Sequence, residues 1–168
     1  AAETDQGSIG VNAGSLRNLA VITDPGSRWI IATNLHVGES GALSQLIVSN
    51  GGTVTTGALL VGSNPGSSNN AVVVNSATLA ATNAEGLGII DVRRGTFTLV
   101  SGLVIAEQFR LTNGAQSRFI FEGGTLQIRN GVVSNGAVFA VGSGLASLTP
   151  VGVIVTRAFP RNTGFVNA

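Results

Sequence analysis

A lone histidine, eight carboxylates and nine basic residues, all of them arginine, are what this chain has for acid–base or electrostatic chemistry. His36 stands in Leu35-His36-Val37, where strand alternation turns the two aliphatic side chains to one face and the imidazole to the other. A nucleophilic triad or a zinc centre needs partners at recognisable spacing. His36 has none, so a solvent-facing histidine is expected. The acids are Glu3, Asp5, Asp24, Glu39, Glu85, Asp91, Glu107 and Glu122. Polysaccharide-cleaving sites gather carboxylates in pairs, and here the three aspartates are scattered. Asp91 and Glu122 could meet across the fold with Arg93, Arg94 or Arg118. An ion pair is the chemistry expected of them, rather than glycoside cleavage. Trp29, the single tryptophan, reads as a core or edge-capping ring; the competing reading is a stacking platform for a ligand. No calcium-binding nonapeptide or phosphate-cradling glycine loop is present, and no interleaving of basic with aromatic residues. No residue is assigned as catalytic, cofactor-binding or metal-ligating, no cofactor is implied, and no enzyme is expected.

Composition narrows the classes further. Of the 168 residues, 43% are hydrophobic and only 10% charged, against about 25% charged in an average soluble domain. The balance is nearly neutral, at +1, and no arginine cluster exceeds Arg93-Arg94, so a nucleic-acid surface is not expected. Cysteine is absent, which removes disulfides and thiolate metal sites. No apolar run is long enough for a membrane-spanning helix. The sequence opens on Ala1-Ala2-Glu3 without methionine, from which a cleaved signal peptide and a place outside the cell are expected.

The elements that must position these groups follow from a repeat. Leu35-His36-Val37-Gly38 returns as Leu59-Leu60-Val61-Gly62, 24 residues later. Between them lies Leu46-Ile47-Val48-Ser49-Asn50-Gly51-Gly52-Thr53-Val54, two short apolar runs around a turn. Val72-Val73-Val74 stands where Leu46-Ile47-Val48 stood, and Thr78 where Thr53 stood. Periods of this length mark repeat architectures. A strand with two inward apolar side chains cannot stand alone; laid on its equivalent in the next coil, it gains a ladder of backbone bonds and a continuous interior. Val48 over Val74 and Thr53 over Thr78 should form such columns. The expected fold is an all-β, parallel β-solenoid over residues 19–142. An N-terminal tail, edge strand or incomplete first coil is expected over 1–18, and a C-terminal cap or inter-subunit arm over 143–168. Four Asn-Gly steps, at Asn50, Asn113, Asn130 and Asn135, read as turns, and they keep an antiparallel sandwich or barrel open as the competing architecture.

The set Asp24-Pro25-Gly26-Ser27-Arg28-Trp29, Leu35-x-Val37-Gly38, Ser49-Asn50-Gly51-Gly52-Thr53-Val54 and Val61-Gly62 resembles the β-strand repeat of bacterial autotransporter passengers and PEP-CTERM-associated surface proteins. Residues 87–142, with Asp91-Val92-Arg93-Arg94-Gly95-Thr96 and Phe121-Glu122-Gly123-Gly124-Thr125-Leu126, resemble segments that follow such repeats. The resemblance implies a right-handed β-solenoid at the cell exterior. The expected role is a structural subunit that stacks head-to-tail with copies of itself into a fibre or surface layer. The alternative is an adhesin-type module that binds surface glycans through Trp29 and the loop 63–70.

Overall fold

The computed structural model describes residues 1–142 and 166–167. Strands follow one another as β1 (Ala2–Thr4), β2 (Gly7–Ile9), β3 (Leu19–Ile22), β4 (Arg28–Val37), β5 (Gln45–Ser49), β6 (Thr53–Val61), β7 (Asn70–Asn75), β8 (Ala77–Ala81), β9 (Ile89–Val92), β10 (Gly95–Leu99), β11 (Gly102–Leu111), β12 (Ser117–Phe121), β13 (Thr125–Val133), β14 (Val138–Val141) and β15 (Val166–Asn167). One 3₁₀ turn, Gly114–Gln116, interrupts them. Every pairing among the described residues is parallel, and the chain winds as a β-solenoid of about five turns. A sandwich or barrel built from hairpins is excluded.

Each coil lays down three strand segments. The first belongs to a six-stranded sheet ordered β14-β12-β10-β7-β5-β3; its surface is called face A. The second and third belong to a nine-stranded sheet that bends midway, giving faces B and C. The long strands β4, β6, β11 and β13 each run through the bend. In the coil between β6 and β11, the shorter β8 and β9 cover the two halves separately. The register of β4 on β6 slips between Ile31 and Asn34, so two residues of one coil oppose Gly57 of the next. Thr56 is buried at the bend, and its hydroxyl donates to the carbonyls of Thr33 and Ala58 at 3.1 and 2.9 Å.

Alternation fills the interior. On face A the inward positions stack as Ala20, Leu46, Val72, Phe97, Phe119 and Phe139, and as Ile22, Val48, Val74, Leu99, Phe121 and Val141. Val48 lies over Val74, and Thr53 over Thr78. Leu35, Val37, Leu59 and Val61 are fully buried. The repeated tetrapeptide is therefore inward, outward, inward, exit. Gly38 and Gly62 end it at φ of 75° and 70°, a region glycine enters without strain.

Towards the C-terminal coils the core becomes aromatic. Phe97, Phe109, Phe119, Phe121 and Phe139 form a connected group with ring centroids 5.0–6.4 Å apart. Here the structure corrects one expectation. Asn130-Gly131 is not a turn but lies inside β13. Gly131 is a buried, inward position in register with Phe109, in the coil whose face A carries Phe119 and Phe121. At the other end a glycine makes room for a ring. Trp29 points inward in register with Val54, and a Cβ on Gly7 would come within 2.8 Å of its ring. The region expected to be a C-terminal cap or arm, including the apolar run 151–156, lies outside the described residues except for β15, which pairs with β13.

Phe119→Ala should cost about 3–5 kcal/mol in chemical denaturation, whereas Ile120→Ala, one residue along and outward, should cost about 1 kcal/mol or less. A reversed order would mean the strand is registered the other way round.

Candidate functional site

The turn from face C to face A gathers most of the fold's polar contacts, in two shells. The inner shell lies at the start of the strands of face A: Ser44, Asn70, Gly95 and Ser117 stand one above another, and all four are buried. Backbone groups leaving the ladder at a corner still need partners, and these side chains supply them. Asn70 Oδ1 accepts from the Ser44 N–H at 2.9 Å, and Asn70 Nδ2 donates to the Ser67 carbonyl at 2.8 Å. Ser67 Oγ donates to the carbonyls of Gly38 and Gly41. Ser117 Oγ donates to the Val92 carbonyl, and Asn113 Nδ2 to that of Arg93 at 2.9 Å. Gly95 has no room for a side chain, since a Cβ would lie 2.2 Å from the Asn70 carbonyl oxygen.

The outer shell lies on face C beside this corner. His36 is outward, in register with Ser8 and Leu60. It is half-buried rather than freely solvated, and its Nδ1 sits 2.8 Å from Ser63 Oγ. Burial lowers its pKa from the usual 6.5; nearby Glu39 opposes that shift, and Arg93 reinforces it. The carboxylate of Glu39 accepts from Ser8 Oγ at 2.9 Å. Asp91 pairs with Arg93, Nε to Oδ2, at 2.9 Å. Its Oδ1 is buried with no hydrogen bond among the described residues. Arg94 donates to the carbonyls of Gly62 and Ser63 at 3.2 and 3.3 Å.

The structure thus brings His36, Glu39 and Asp91 towards one corner and joins Asp91 to Arg93. It does not join them to Glu122 or Arg118. Glu122 is exposed at the turn from face A to face B, and Arg118 is exposed on face A. Trp29 is a core ring: its indole N–H points to Thr4 Oγ1 at 3.3 Å, and its ring packs against the buried cluster. The loop 63–70 is anchored through Ser63, Ser67, Asn70 and an Asn64–Ser40 bond of 3.0 Å; residues 64–66 and Asn69 are exposed. The sequence reading missed the buried polar column. Its signal was there, in the small polar residue or glycine that precedes β5 and opens β7, β10 and β12 at intervals of about one coil.

Matched against family models, curated proteins and solved structures, the chain finds no counterpart in any of them. Chemically, the corner is a clamp. The serine on His36 engages Nδ1, and the carboxylate that acts on the ring through space is itself held by Ser8. Among the described residues, no group of three histidines or carboxylates could hold a metal ion. A shallow depression of about 390 Å³ lies away from this corner, at the first coil, lined by Ala1, Val21, Ile22, Thr23, Asp24, Ser27 and Arg28. Most polar bonds at the corner tie residues 20–32 apart in sequence, one coil to the next.

Two outcomes follow. Asn70→Ala leaves the buried Ser44 N–H without its acceptor and should cost about 1–3 kcal/mol in denaturation. The depressed pKa of His36 means the folded chain favours the neutral ring. Its contribution is then fully present above 6.5 and is lost as pH falls through the window below that value, where the unfolded chain binds the extra proton. Denaturation midpoints at about pH 7.5 and about pH 5 should separate more for the natural chain than for His36→Gln. Equal separations would show that His36 does not carry this part of the pH dependence.

Proposed function

We propose that this chain is a non-enzymatic structural subunit whose coils join end to end with copies of itself. The observation that carries this reading is the chemistry of the two edges of face A. At one edge stands β3, Leu19-Ala20-Val21-Ile22; at the other stands β14, Val138-Phe139-Ala140-Val141. Among the described strands, the six-stranded order begins and ends on these two. Neither strand carries a charge, a proline or a bulge, the devices by which edge strands avoid pairing.

The ladder fixes which groups are available. Gln45 N–H bonds to the Asn18 carbonyl, so in a parallel ladder Asn18, Ala20 and Ile22 face β5. Leu19 and Val21 then present their backbone groups outward. At the far edge Gly142 N–H bonds to the Phe121 carbonyl, so alternation turns the backbone groups of Val141 away from β12. Stacking β14 of one copy on β3 of the next continues both inward columns, Phe139 over Ala20 and Val141 over Ile22. Such heterologous contacts do not close on themselves, and they generate filaments. Low charge favours the same outcome, because like charges stacked coil upon coil would repel.

Sedimentation velocity and negative-stain imaging test this. The natural chain should form rods of constant width that lengthen with concentration. Val21→Pro removes only an outward-facing N–H and should return the protein to single, folded chains. A natural chain that stays monomeric at high concentration would refute the proposal.

A further inference from the structure

Faces A and C differ in what they show to solvent. The outward columns of face C are Asn34, Ala58, Ile89, Gln108, Asn130 and His36, Leu60, Asp91, Arg110, Val132, a mixture of polar and aliphatic side chains in which Asp91 is buried. Face A presents two columns, Leu19, Gln45, Ala71, Thr96, Arg118, Val138 and Val21, Ile47, Val73, Thr98, Ile120, Ala140. None of these residues is buried, and no described element covers them. Gln45 and Arg118 are the only long polar groups, and both lie in the same column.

We infer that face A is a self-complementary surface that packs against face A of a second copy, with the two solenoid axes antiparallel. The pattern selects this arrangement. A two-fold axis along the strand direction keeps each column opposite itself and reverses the strand order. Gln45 then lies opposite Arg118 of the second copy, Ile47 opposite Ile120, and Val73 opposite Thr98. The guanidinium meets an amide carbonyl that can accept from it, and every aliphatic side chain meets another aliphatic or a small threonine. A two-fold axis along the solenoid would instead set Arg118 against Ile120 and Gln45 against Ile47, leaving both polar groups facing hydrocarbon, which is costly. The small residues Ala71, Val73, Thr96 and Thr98 occupy the middle, so sheets can approach at about 10 Å, as in aligned sheet packing.

The face has a limited area. Six strands at about 4.8 Å and four residues at about 3.3 Å give about 400 Å², half of the roughly 800 Å² per partner of a stable interface. Isolated pairs are therefore weak. In end-joined rods, a reading on which the strong form of this pairing rests, the faces repeat along one line and their contacts add.

Because the chain contains no cysteine, single thiols can be placed at will. Ile47→Cys and Ile120→Cys copies, each also carrying Val21→Pro to suppress end-to-end joining, are mixed at high concentration with a short bis-maleimide linker. The mixed 47–120 cross-link should exceed either like-with-like cross-link several-fold, and Val73→Arg in both copies should abolish it. Equal like-with-like and mixed yields, or no cross-link above the Val73→Arg background, would overturn the pairing. Imaging without Val21→Pro separates the two readings. Single unpaired rods would refute the face and spare the ends; cross-linked pairs without rods would do the reverse.

Discussion

Everything in this fold depends on inward side chains of successive coils lying in register at the spacing of a parallel ladder. A strand here contributes two inward residues and cannot bury them by itself. The ladder supplies the neighbour above and the neighbour below, so each side chain's environment is set by equivalent positions about one coil away. Size must also balance within a coil, because the three faces enclose one interior. The place where the largest ring enters shows this balance between adjacent coils. Trp29 is offset by Gly7, where a Cβ would meet its ring. Adding volume on one face without removing it from another would force the ladder apart, and a lost ladder exposes backbone groups as well as side chains.

The corners solve a different problem. Leaving the sheet, the chain strips its backbone of ladder partners while staying against an apolar interior. Uncharged polar side chains answer this with little desolvation cost, and Asn70, Ser67 and Ser117 each reach carbonyls or N–H groups in an adjacent coil. Charge is kept to the outer shell, where Arg93 can reach water while it pairs with Asp91. The composition follows: a fold that repeats every position in columns has few places where a charge does not meet its own kind.

Much of this was legible beforehand because the period survives in the residues that face inward. Leu35, Val37, Leu59 and Val61 give it directly, and Val48 over Val74 follows by counting. What was hidden lay where two local grammars coincide. Asn-Gly spells a turn at Asn50-Gly51, where both residues take positive φ, and spells nothing of the kind at Asn130-Gly131, where the glycine is buried inside a strand. The bend inside β4, β6, β11 and β13 was also invisible, since alternation continues across it with a slip of one residue. At the candidate site the alternation placed His36 outward, but it could not foresee the bond to Ser63, which depends on how the loop after β6 folds back.

The polarity of the outer surfaces is the one feature the interior does not dictate. Any side chain that tolerates a strand would satisfy the ladder from outside, and face C mixes His36, Arg110, Asn34, Gln108 and Asn130 with Ala58, Leu60, Ile89 and Val132. Face A is more aliphatic, with Gln45, Arg118 and two threonines, Thr96 and Thr98, as the polar members of its two columns. An edge strand of leucine, valine and isoleucine beside an aliphatic face is an arrangement that solitary chains are under pressure to avoid. Its presence on the same face that carries a single arginine and a single glutamine, placed so that a reversed copy matches them, argues that the outside of face A answers to a contact just as the inside does. On the proposed reading, growth runs in two directions with different chemistry: backbone hydrogen bonds along the axis, and side-chain packing across it.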